Sequence, residues 1–373
     1  VLREHYDFLS DRVRLEQYEA VIRRVVHPEH VVLDLGCGTG VLGLMALRAG
    51  SRTVYFVEEG PVIEVARKAI VDAGYGANAE FFKVNSFELA LPERMDVVIC
   101  DHIGCFGFDY GILALLSDAK RRFLKPGGII VPAELGVRLA PIESESCRDQ
   151  VGRWHNGDVP EEFERLRSIA ANTKHLADLS KDELLAEPAT LPTLQLGDEA
   201  APFLSWNAEF TSTRDGTLDG VGGWFDCCLF DDVRLTNAPD AARRSHRPQV
   251  FLPLPEAVPV NAGDRIKASV MARHEDDVIG WVIELPDNGE RFEHSTFNAL
   301  LMDHEALTSA RADRVARLNQ QGRARQIVLS YCDGQRTFAE IQALVHQDYP
   351  DLFPSAHATA SFVARVLARD TSE

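Results

Sequence analysis

The order of apolar runs and glycines along the chain predicts an α/β domain with a parallel sheet, then an antiparallel β-barrel-like domain, then a small α-rich domain. In the first of these, short apolar runs alternate with stretches of helical periodicity, the pattern of a parallel sheet with helices on both faces. After Pro132 strand-like segments follow one another, separated by turn residues, which favours antiparallel pairing. From residue 308 helical patterns return. We therefore expect three domains, over residues 1–133, 134–307 and 308–373.

The elements of the first domain follow in a regular order. Residues 1–26 have apolar residues at helical spacing. After them the strands predicted from short β-branched and apolar runs are VVLDL (31–35), TVYFVE (53–58), AEFFKV (79–84), MDVVICD (95–101) and GGIIVP (127–132), with helices over 41–50 and 61–74. Lys-Pro-Gly-Gly at 125–128 predicts a turn before the last strand.

The later segments are shorter and less regular. The predicted strands are ELGVRLAPIE (134–143), APFLSWNAEF (201–210), GGWFDCCLF (222–230), QVFLPL (249–254), RIKASVMAR (265–273) and VIGWVIEL (278–285). A polar, helical insertion over residues 148–190 interrupts them. The predicted helices of the last domain are ARADRVARLN (310–319), RQIVLSY (325–331), FAEIQALVHQDY (338–349) and HATASFVARVLARD (357–370).

Composition excludes several classes of function. The 373 residues include 39 Lys and Arg against 57 Asp and Glu, a net charge of −18, which disfavours a nucleic-acid binder and suits a cationic acceptor. The excess lies before residue 308, since the remainder has eight basic and seven acidic side chains. Without a run of 18 apolar residues or a secretory signal pattern, we expect a cytoplasmic protein with no membrane partner. The seven cysteines form no C-x-x-C pair, so we predict neither disulfides nor a metal site.

A glycine cluster follows the first predicted strand and precedes a helix. Glycines here let a ligand approach the free backbone N–H groups at the start of the helix. Gly38-x-Gly40-x-x-Gly43 fits the dinucleotide fingerprint, whereas Asp34-x-Gly36-x-Gly38-x-Gly40 fits the S-adenosylmethionine pattern. Asp34 separates the two, because a carboxylate would repel a pyrophosphate but can accept hydrogen bonds from the ammonium of a methionine moiety. We therefore predict S-adenosyl-L-methionine as the cofactor, bound by Asp34, Gly36, Gly38 and Gly40.

Glu58 ends the second predicted strand, 18 residues beyond Gly40. An acid at this place suits the hydroxyls of a ribose in either kind of nucleotide, so Glu58 joins the predicted cofactor site without discriminating between the ligands. The alternative for the glycines is a tight turn with no ligand. The alternative for Asp34 is a helix-capping or turn role.

Several segments together resemble the class I methyltransferases, and among them the protein arginine methyltransferases. They are D-L-G-C-G-T-G-V-L with V-Y-F-V-E, D-V-V-I-C-D-H-I-G and R-F-L-K-P-G-G-I-I-V-P, preceded over residues 5–18 by a match to the family's H-x-x-M-L-x-D-x-V-R-x-x-x-Y helix. The resemblance implies a Rossmann-like first domain. It also implies that Arg14 grips the cofactor carboxylate, for which a bidentate guanidinium is suited. At the adenine end it implies contacts from Ser86 and Phe87, although a phenylalanine of the core is the alternative for Phe87.

The same family holds a substrate guanidinium between two glutamates on a hairpin after the fourth strand. In this chain Asp101 falls at the first position, and the second is occupied by Tyr110 or served by Asp109 one residue earlier. Two carboxylates there would neutralise a cationic acceptor and orient its lone pair. His246 falls at the histidine of the family's T-H-W loop, where Arg247 replaces the tryptophan. The resemblance thus implies Asp101, Asp109 and His246 as catalytic residues.

Two further segments carry implications for partners. Residues 148–190 resemble the family's dimerisation arm, which implies a homodimer, with an amphipathic surface insertion as the alternative. Residues 308–373 resemble a PqqD-like peptide-binding module of winged-helix-like form, with a C-D-G-x-R-T turn that makes Thr337 a helix N-cap. Such modules capture a leader peptide by strand addition. A helical cap on the barrel is the alternative.

These observations predict an S-adenosylmethionine-dependent methyltransferase that modifies a side-chain nitrogen, arginine-like, of a peptide or protein. A ribosomally synthesised natural-product precursor held by the last domain is the acceptor we favour. One alternative is a small-molecule N- or O-methyltransferase of natural-product biosynthesis. Another is a leader-peptide-binding protein without catalytic activity.

Overall fold

The computed structural model describes residues 2–154, 157–301, 303, 313 and 315–371. The chain divides into two compact units, residues 1–300 and 301–373. The first unit contains a parallel sheet and two antiparallel sheets, and the second is helical. The fold class predicted from the sequence is therefore confirmed, while the predicted domain boundaries stay predictions.

The parallel part of the first unit follows the predicted order of elements. Its helices are α1 (Leu2–Ser10), α2 (Arg12–Val25), α3 (Val41–Arg48), α4 (Ile63–Asp72) and α5 (Ile112–Arg122), and its strands are β1 (Val31–Leu35), β2 (Thr53–Val57), β3 (Ala79–Phe82), β4 (Met95–Cys100) and β5 (Leu124–Val131). The predicted helical stretch over 1–26 is two helices. Between them Asp11 is extended, and its carboxylate accepts a hydrogen bond from the Arg14 backbone N–H at 3.0 Å, as an N-cap does. This restart puts Arg14 and Tyr18 on the buried face of α2.

The parallel strands form one sheet in the order β3-β2-β1-β4-β5. Every residue of the central strand β1 is buried, as expected where helices cover both faces. The strand order reverses between β1 and β4, and ligands bind at such a switch point, beyond the carboxyl ends of the strands. Residues 125–128, predicted as a turn, lie instead inside β5, at a register shift between Met95 and Val97 of β4.

Antiparallel strands make up the rest of the first unit. They are β6 (Glu134–Ile142), β7 (His175–Ala177), β8 (Ala189–Thr190), β9 (Leu194–Gln195), β10 (Leu204–Thr211), β11 (Gly216–Phe230), β12 (Val233–Thr236), β13 (Gln249–Val260), β14 (Arg265–Arg273), β15 (Val278–Leu285) and β16 (Glu290–Ser295). One sheet has the order β10-β14-β15-β16; the other has the order β7-β13-β11-β6-β8, with β12 paired to β11 and β9 to β6. Residues of β10 alternate strictly between buried and exposed, so one face of its sheet packs on the core.

The insertion over residues 148–190 is helical only in part. It holds most of α6 (Glu145–Gly152) and all of α7 (Arg165–Ala171), but also β7 and β8. Strand β7 pairs with β13, opposite residues 249–251, which anchors the end of the insertion on the larger antiparallel sheet. Lys174, directly before β7, is thereby held in a fixed place.

The second unit consists, in its described part, of α8 (Gln320–Ser330), α9 (Phe338–Asp348) and α10 (Ala356–Asp370). Their core is Val328, Ile341, Val345, Val363 and Val366. Thr337 is the N-cap of α9, as predicted: its hydroxyl accepts from the Glu340 N–H, and the Glu340 carboxylate accepts from the Thr337 N–H at 2.8 Å. The helix predicted over 310–319 is wrong for residues 315–319, which are irregular as far as Asn319, the N-cap of α8, while residues 310–312 and 314 lie outside the described residues. No helix in the described part of the chain is long and apolar enough to cross a membrane.

Candidate active site

Two adjoining cavities lie beyond the carboxyl ends of β1, β2 and β4. The larger, about 370 Å³, is lined by residues of α1 and α2, by the glycine loop after β1 and by the start of the loop after β4. The smaller, about 260 Å³, is lined by the ends of β1 and β2 and by residues 84–87. Both cavities share four wall residues, namely Gly36, Glu58, His102 and Tyr110. The two cavities therefore adjoin along these four residues and form one elongated site.

The glycine loop is shaped for close approach of a ligand. Gly36, Gly38 and Gly40 have φ angles of +68°, +52° and +77°, the left-handed region that L side chains rarely adopt. A Cβ on Gly36 would lie 2.0 Å from Cε1 of His102, so no side chain fits there. Glycine at this position keeps the junction of the two cavities open.

Glu58 is fixed at the junction by the glycine loop itself. One carboxylate oxygen accepts from the Gly38 N–H at 3.1 Å, and the other accepts from the Gly60 N–H at 2.7 Å. Each oxygen keeps a lone pair for a further donor. Its place between the two cavities fits the predicted role toward a ribose, and that role stays a prediction.

Asp34 lies deeper than predicted. Its carboxylate is buried and accepts from the Gly43 N–H in the first turn of α3 at 2.8 Å, and it lines neither cavity. Burial raises the pKa of Asp34 to about 7, against the opposing effect of the Gly43 hydrogen bond. The helix-capping alternative for Asp34 thus describes its contacts, and a direct bond to a cofactor ammonium stays a prediction.

The raised pKa of Asp34 predicts a measurable pH dependence of stability. Between about pH 4 and pH 7 the unfolded chain ionises Asp34 while the folded chain keeps it protonated, so the free energy of unfolding decreases as pH rises, by at most about 1.4 kcal/mol per pH unit. Asp34→Asn keeps the acceptor for Gly43 but cannot ionise. Urea unfolding across this range should give a steeper decline for wild type than for Asp34→Asn. Parallel curves would mean that Asp34 is already ionised in the fold.

The adenine end contains both residues that the resemblance implied. Ser86 and Phe87 line the smaller cavity, within a 3₁₀ turn whose N-cap, Asn85, accepts from the Phe87 N–H at 3.0 Å. Phe87 is 52% exposed, so it is not a core phenylalanine. An exposed aromatic ring on a cavity wall can stack on a purine.

Asp101 is the centre of a buried ionic cluster at the end of β4. Its Oδ2 accepts from Nε of Arg14 and, at 2.9 Å, from Nη2 of Arg247, while Oδ1 accepts from the Tyr18 hydroxyl at 3.0 Å. The Asp101 side chain is 8% exposed. Burial alone would raise its pKa, but the two guanidinium groups outweigh burial and hold the pKa of Asp101 below its usual range. Arg14 and Asp101 both line the larger cavity, where the predictions located them.

Asp109 does not reach either cavity. One oxygen accepts from the Phe106 N–H at 2.9 Å, and the other accepts from Nζ of Lys174 at 2.9 Å. Lys174 also binds Asp277 in the turn between β14 and β15. Asp109 therefore ties the loop after β4 to the antiparallel part, and its predicted catalytic role finds no support in this arrangement.

His246 is also outside the cavities. Its imidazole is exposed, and its backbone N–H donates to Asp11 at 3.0 Å, beside the Ser245 hydroxyl that donates to the same oxygen at 2.6 Å. These bonds hold the loop against the start of α2. The next residue, Arg247, is the one that points inward to Asp101.

Three functional candidates were missed by sequence reasoning. Arg247 was noticed only as a departure from the family loop, and its contact with Asp101 joins residues 146 positions apart. His102 lines both cavities. Its sequence position, directly after the acid that follows β4, could have indicated a residue of the site, because ligands bind beyond the carboxyl ends of parallel strands. Lys174 could not be identified from the sequence, because it is one charged residue among many in a polar insertion.

The residues present fit S-adenosylmethionine. Gly36 leaves room beside His102 that a Cβ would fill, Arg14 offers a guanidinium on the wall of the larger cavity, and Ser86 and Phe87 line the smaller one. Within the described residues no group of three His, Cys, Asp or Glu side chains could hold a metal ion.

Comparisons with known proteins agree with this geometry. A family model described as "Methyltransferase domain" matches residues 32–128. Human protein arginine N-methyltransferase 2 is 26% identical over 310 residues, covering 76% of this chain and 70% of that protein. The arginine N(omega)-methyltransferase of Streptomyces achromogenes subsp. streptozoticus is 29% identical over 278 residues, covering 71% and 75%.

Solved structures extend the likeness to the fold. The Trypanosoma brucei PRMT1 enzyme–prozyme heterotetrameric complex with AdoHcy contains a chain that superposes with a TM-score of 0.70 at 19% identity, covering 78% of this chain and 96% of that one. The match thus includes the antiparallel part as well as the parallel sheet. The chain is therefore a methyltransferase that uses S-adenosylmethionine and has the fold of the protein arginine methyltransferases.

Proposed function

We propose that the chain transfers a methyl group to a side-chain nitrogen of the arginine type in a peptide or protein. The observation that carries this proposal is the location of Asp101, a carboxylate at the end of β4 on the wall of the cavity that Arg14 also lines. The names of the relatives, among them an arginine N(omega)-methyltransferase, support the same acceptor chemistry. S-adenosylmethionine supplies an electrophilic methyl group on a sulfonium.

The chain's own side chains define how an acceptor would be held. Arg14 would bind the cofactor carboxylate, which removes one of the two guanidinium groups from Asp101. Asp101 could then accept a hydrogen bond from an acceptor N–H and direct the nitrogen lone pair toward the methyl group. Glu4 and Glu58 on the same cavity wall add negative charge that favours a cationic acceptor.

A small guanidino compound is the second candidate acceptor. It is favoured by the relative from Streptomyces achromogenes, which is named for arginine rather than for protein arginine and covers 71% of this chain, against 76% for the human relative. A free guanidino compound would need the same carboxylate at Asp101. The two candidates therefore differ in acceptor size and not in chemistry.

Residues 308–373 are proposed to capture the peptide acceptor, as a PqqD-like module would. A groove of about 650 Å³ between α8 and α10 combines apolar Phe362 and Val366 with exposed Arg365 and Arg369, which suits a peptide with apolar and acidic side chains. Tethering there would raise the acceptor's effective concentration at the active site.

Residues 148–190 are proposed to form the interface of a homodimer, which light scattering of the purified chain can test.

The acceptor class can be resolved by one mass-spectrometry experiment. The chain is incubated with S-adenosylmethionine and, separately, with arginine-containing precursor peptides, the same peptides with Arg→Lys, and free arginine. We expect a gain of one methyl group on the arginine peptides and none on the lysine peptides. Methylation of free arginine alone would favour the small-molecule candidate, and no product from either would contradict arginine chemistry.

The double variant Arg365→Glu/Arg369→Glu should slow methylation of the peptide without affecting methylation of free arginine.

A further inference from the structure

His102 occupies a special place among the side chains of the site. It is one of the four residues that line both cavities, and its ring lies against Gly36, where Cε1 would be 2.0 Å from an added Cβ. Its Nδ1 is 3.8 Å from the Cys100 sulfur. Among the described residues, no hydrogen bond is formed to its Nε2, so this nitrogen keeps its hydrogen-bonding capacity for a ligand in the cavities that His102 lines.

The two carboxylates predicted as catalytic are already engaged by cationic side chains. Asp101 accepts from Arg14, Arg247 and Tyr18, and with Arg14 moved to the cofactor carboxylate it would still accept from Arg247, whose charge favours the ionised form. Asp109 is paired with Lys174 and lies away from the cavities. The proton released on nitrogen methylation therefore needs another acceptor.

The predicted cofactor contacts would bring the sulfonium of S-adenosylmethionine near His102. S-adenosylmethionine runs from adenine through ribose to the sulfonium and then to the amino-acid part. If Ser86 and Phe87 hold the adenine and Arg14 holds the carboxylate, the ribose and sulfonium would lie at the junction between the cavities. His102 and Glu58 are both at that junction.

The surroundings of His102 keep its ring neutral near pH 7. Burial lowers the pKa of His102, and Arg247 lowers it further, while Asp101 and Glu58 oppose both effects. The other titratable or charged side chains on the walls of the two cavities are Glu4, His5, Arg14, Cys37, Glu59 and Tyr110. A neutral imidazole has a ring nitrogen that can accept a proton.

We propose that His102 is a catalytic residue whose Nε2 accepts the proton that the acceptor nitrogen releases during methyl transfer. The nitrogen lone pair forms the N–C bond as the C–S bond breaks, and the electron pair of that bond stays on sulfur, giving a neutral thioether. The nitrogen becomes acidic as the new bond forms, and its proton moves to His102 and then to solvent. This inference rests on the proposed nitrogen acceptor, but its position beside the sulfonium can be tested without any acceptor.

The first test measures the titration of His102 by NMR in the full chain with S-adenosylmethionine and, in a second sample, with S-adenosylhomocysteine. The chain has 12 histidines, so the spectrum of His102→Gln identifies the resonance. The two ligands differ by one methyl and one positive charge on sulfur, and that charge should lower the His102 midpoint by at least about half a pH unit. Equal midpoints in the two complexes would overturn the proposal, whatever the acceptor is.

The second test uses turnover of the acceptor identified by mass spectrometry. His102→Gln should reduce kcat by at least about 100-fold and abolish the acidic limb of the pH profile, with cofactor affinity within a few-fold of wild type. His294→Gln is the matched control, since His294 also has a pKa lowered by burial but lies against Trp281, away from both cavities. Its turnover should stay within twofold.

A third variant keeps the test informative if His102→Gln disturbs the fold. His102→Ala should regain turnover on addition of imidazole, because a free imidazole can replace the missing base but not a missing packing contact. Turnover of His102→Gln within threefold of wild type, or an unchanged acidic limb, would refute the role of His102. Absence of any methylation by wild type would instead contradict the proposed function and leave the NMR result to decide the position of His102.

Discussion

Replacing Asp101 with asparagine is expected to abolish methyl transfer and to destabilise the fold, while the affinity for S-adenosylmethionine stays within a few-fold of wild type. Asparagine keeps the shape and one acceptor oxygen but removes the charge that holds Arg14 and Arg247. Two buried guanidinium groups then repel each other and any cationic acceptor. We expect kcat/KM to decrease by at least about 100-fold and the free energy of unfolding to decrease by up to about 3–5 kcal/mol.

Cofactor binding separates this prediction from simple misfolding. Arg14 is released from Asp101 in the variant and remains available for the cofactor carboxylate, so calorimetry at low temperature should still detect binding. Kinetics and urea unfolding are measured on the same preparation. A variant that folds, binds the cofactor and turns over at the wild-type rate would remove Asp101 from the acceptor site.

Asp219→Asn is the matched control for loss of the charge on a buried aspartate that pairs with an arginine. The Asp219 side chain is 1% exposed and binds Nε of Arg148 at 2.7 Å, in the antiparallel part and away from both cavities. This variant should also lose stability, because the buried carboxylate accepts charge-assisted hydrogen bonds from Arg148 and a hydrogen bond from the Ser144 N–H that an amide replaces only in part. Its turnover per folded molecule should remain that of wild type, which would assign the loss in Asp101→Asn to the site.

The residues predicted to bind the cofactor lie, apart from Asp34 and Gly40, on the walls of the two cavities, and their roles stay predictions. The glycine loop, Glu58 and the 85–88 turn each follow a strand of the parallel sheet, and carboxyl ends of parallel strands meet at one edge. The assignment of Arg14 to the cofactor site required the family resemblance, because the local sequence does not distinguish a functional arginine from any other arginine on an amphipathic helix. The structure does bring it to the wall of the larger cavity.

The acceptor half could not be predicted in the same way, because its contacts join distant parts of the chain. Arg247 reaches Asp101 across 146 positions, and Lys174 reaches Asp109 across 65. Each of these ion pairs neutralises a carboxylate that was predicted from the sequence to bind a cationic acceptor. The contact of Asp34, by contrast, is local, because its hydrogen-bond partner Gly43 lies only nine residues further along the chain. An acid near the start of a helix is a common stabilising arrangement.

Replacing Gly36 with alanine is expected to weaken S-adenosylmethionine binding by at least about 100-fold, the second large effect. The φ of +68° alone disfavours an L residue by about 1–2 kcal/mol. The added Cβ would lie 2.0 Å from Cε1 of His102, so the imidazole must move into the junction where both cavities meet. The displaced imidazole obstructs the space that the ribose and sulfonium need, and the backbone strain adds its own energetic cost. Calorimetric titration with the cofactor measures the loss.

Two other glycines separate strain from obstruction. Gly38 lies in the same loop with a φ of +52°, yet its Cβ would meet nothing closer than 3.7 Å, and Gly50 has a φ of +96° with open space around it. Gly38→Ala should therefore weaken binding far less than Gly36→Ala, and Gly50→Ala should lose stability only. Adding His102→Gly to Gly36→Ala removes the obstructing ring and should restore most of the affinity. If the double variant binds no better than Gly36→Ala, backbone strain and not the approach of His102 determines why glycine is needed at this position.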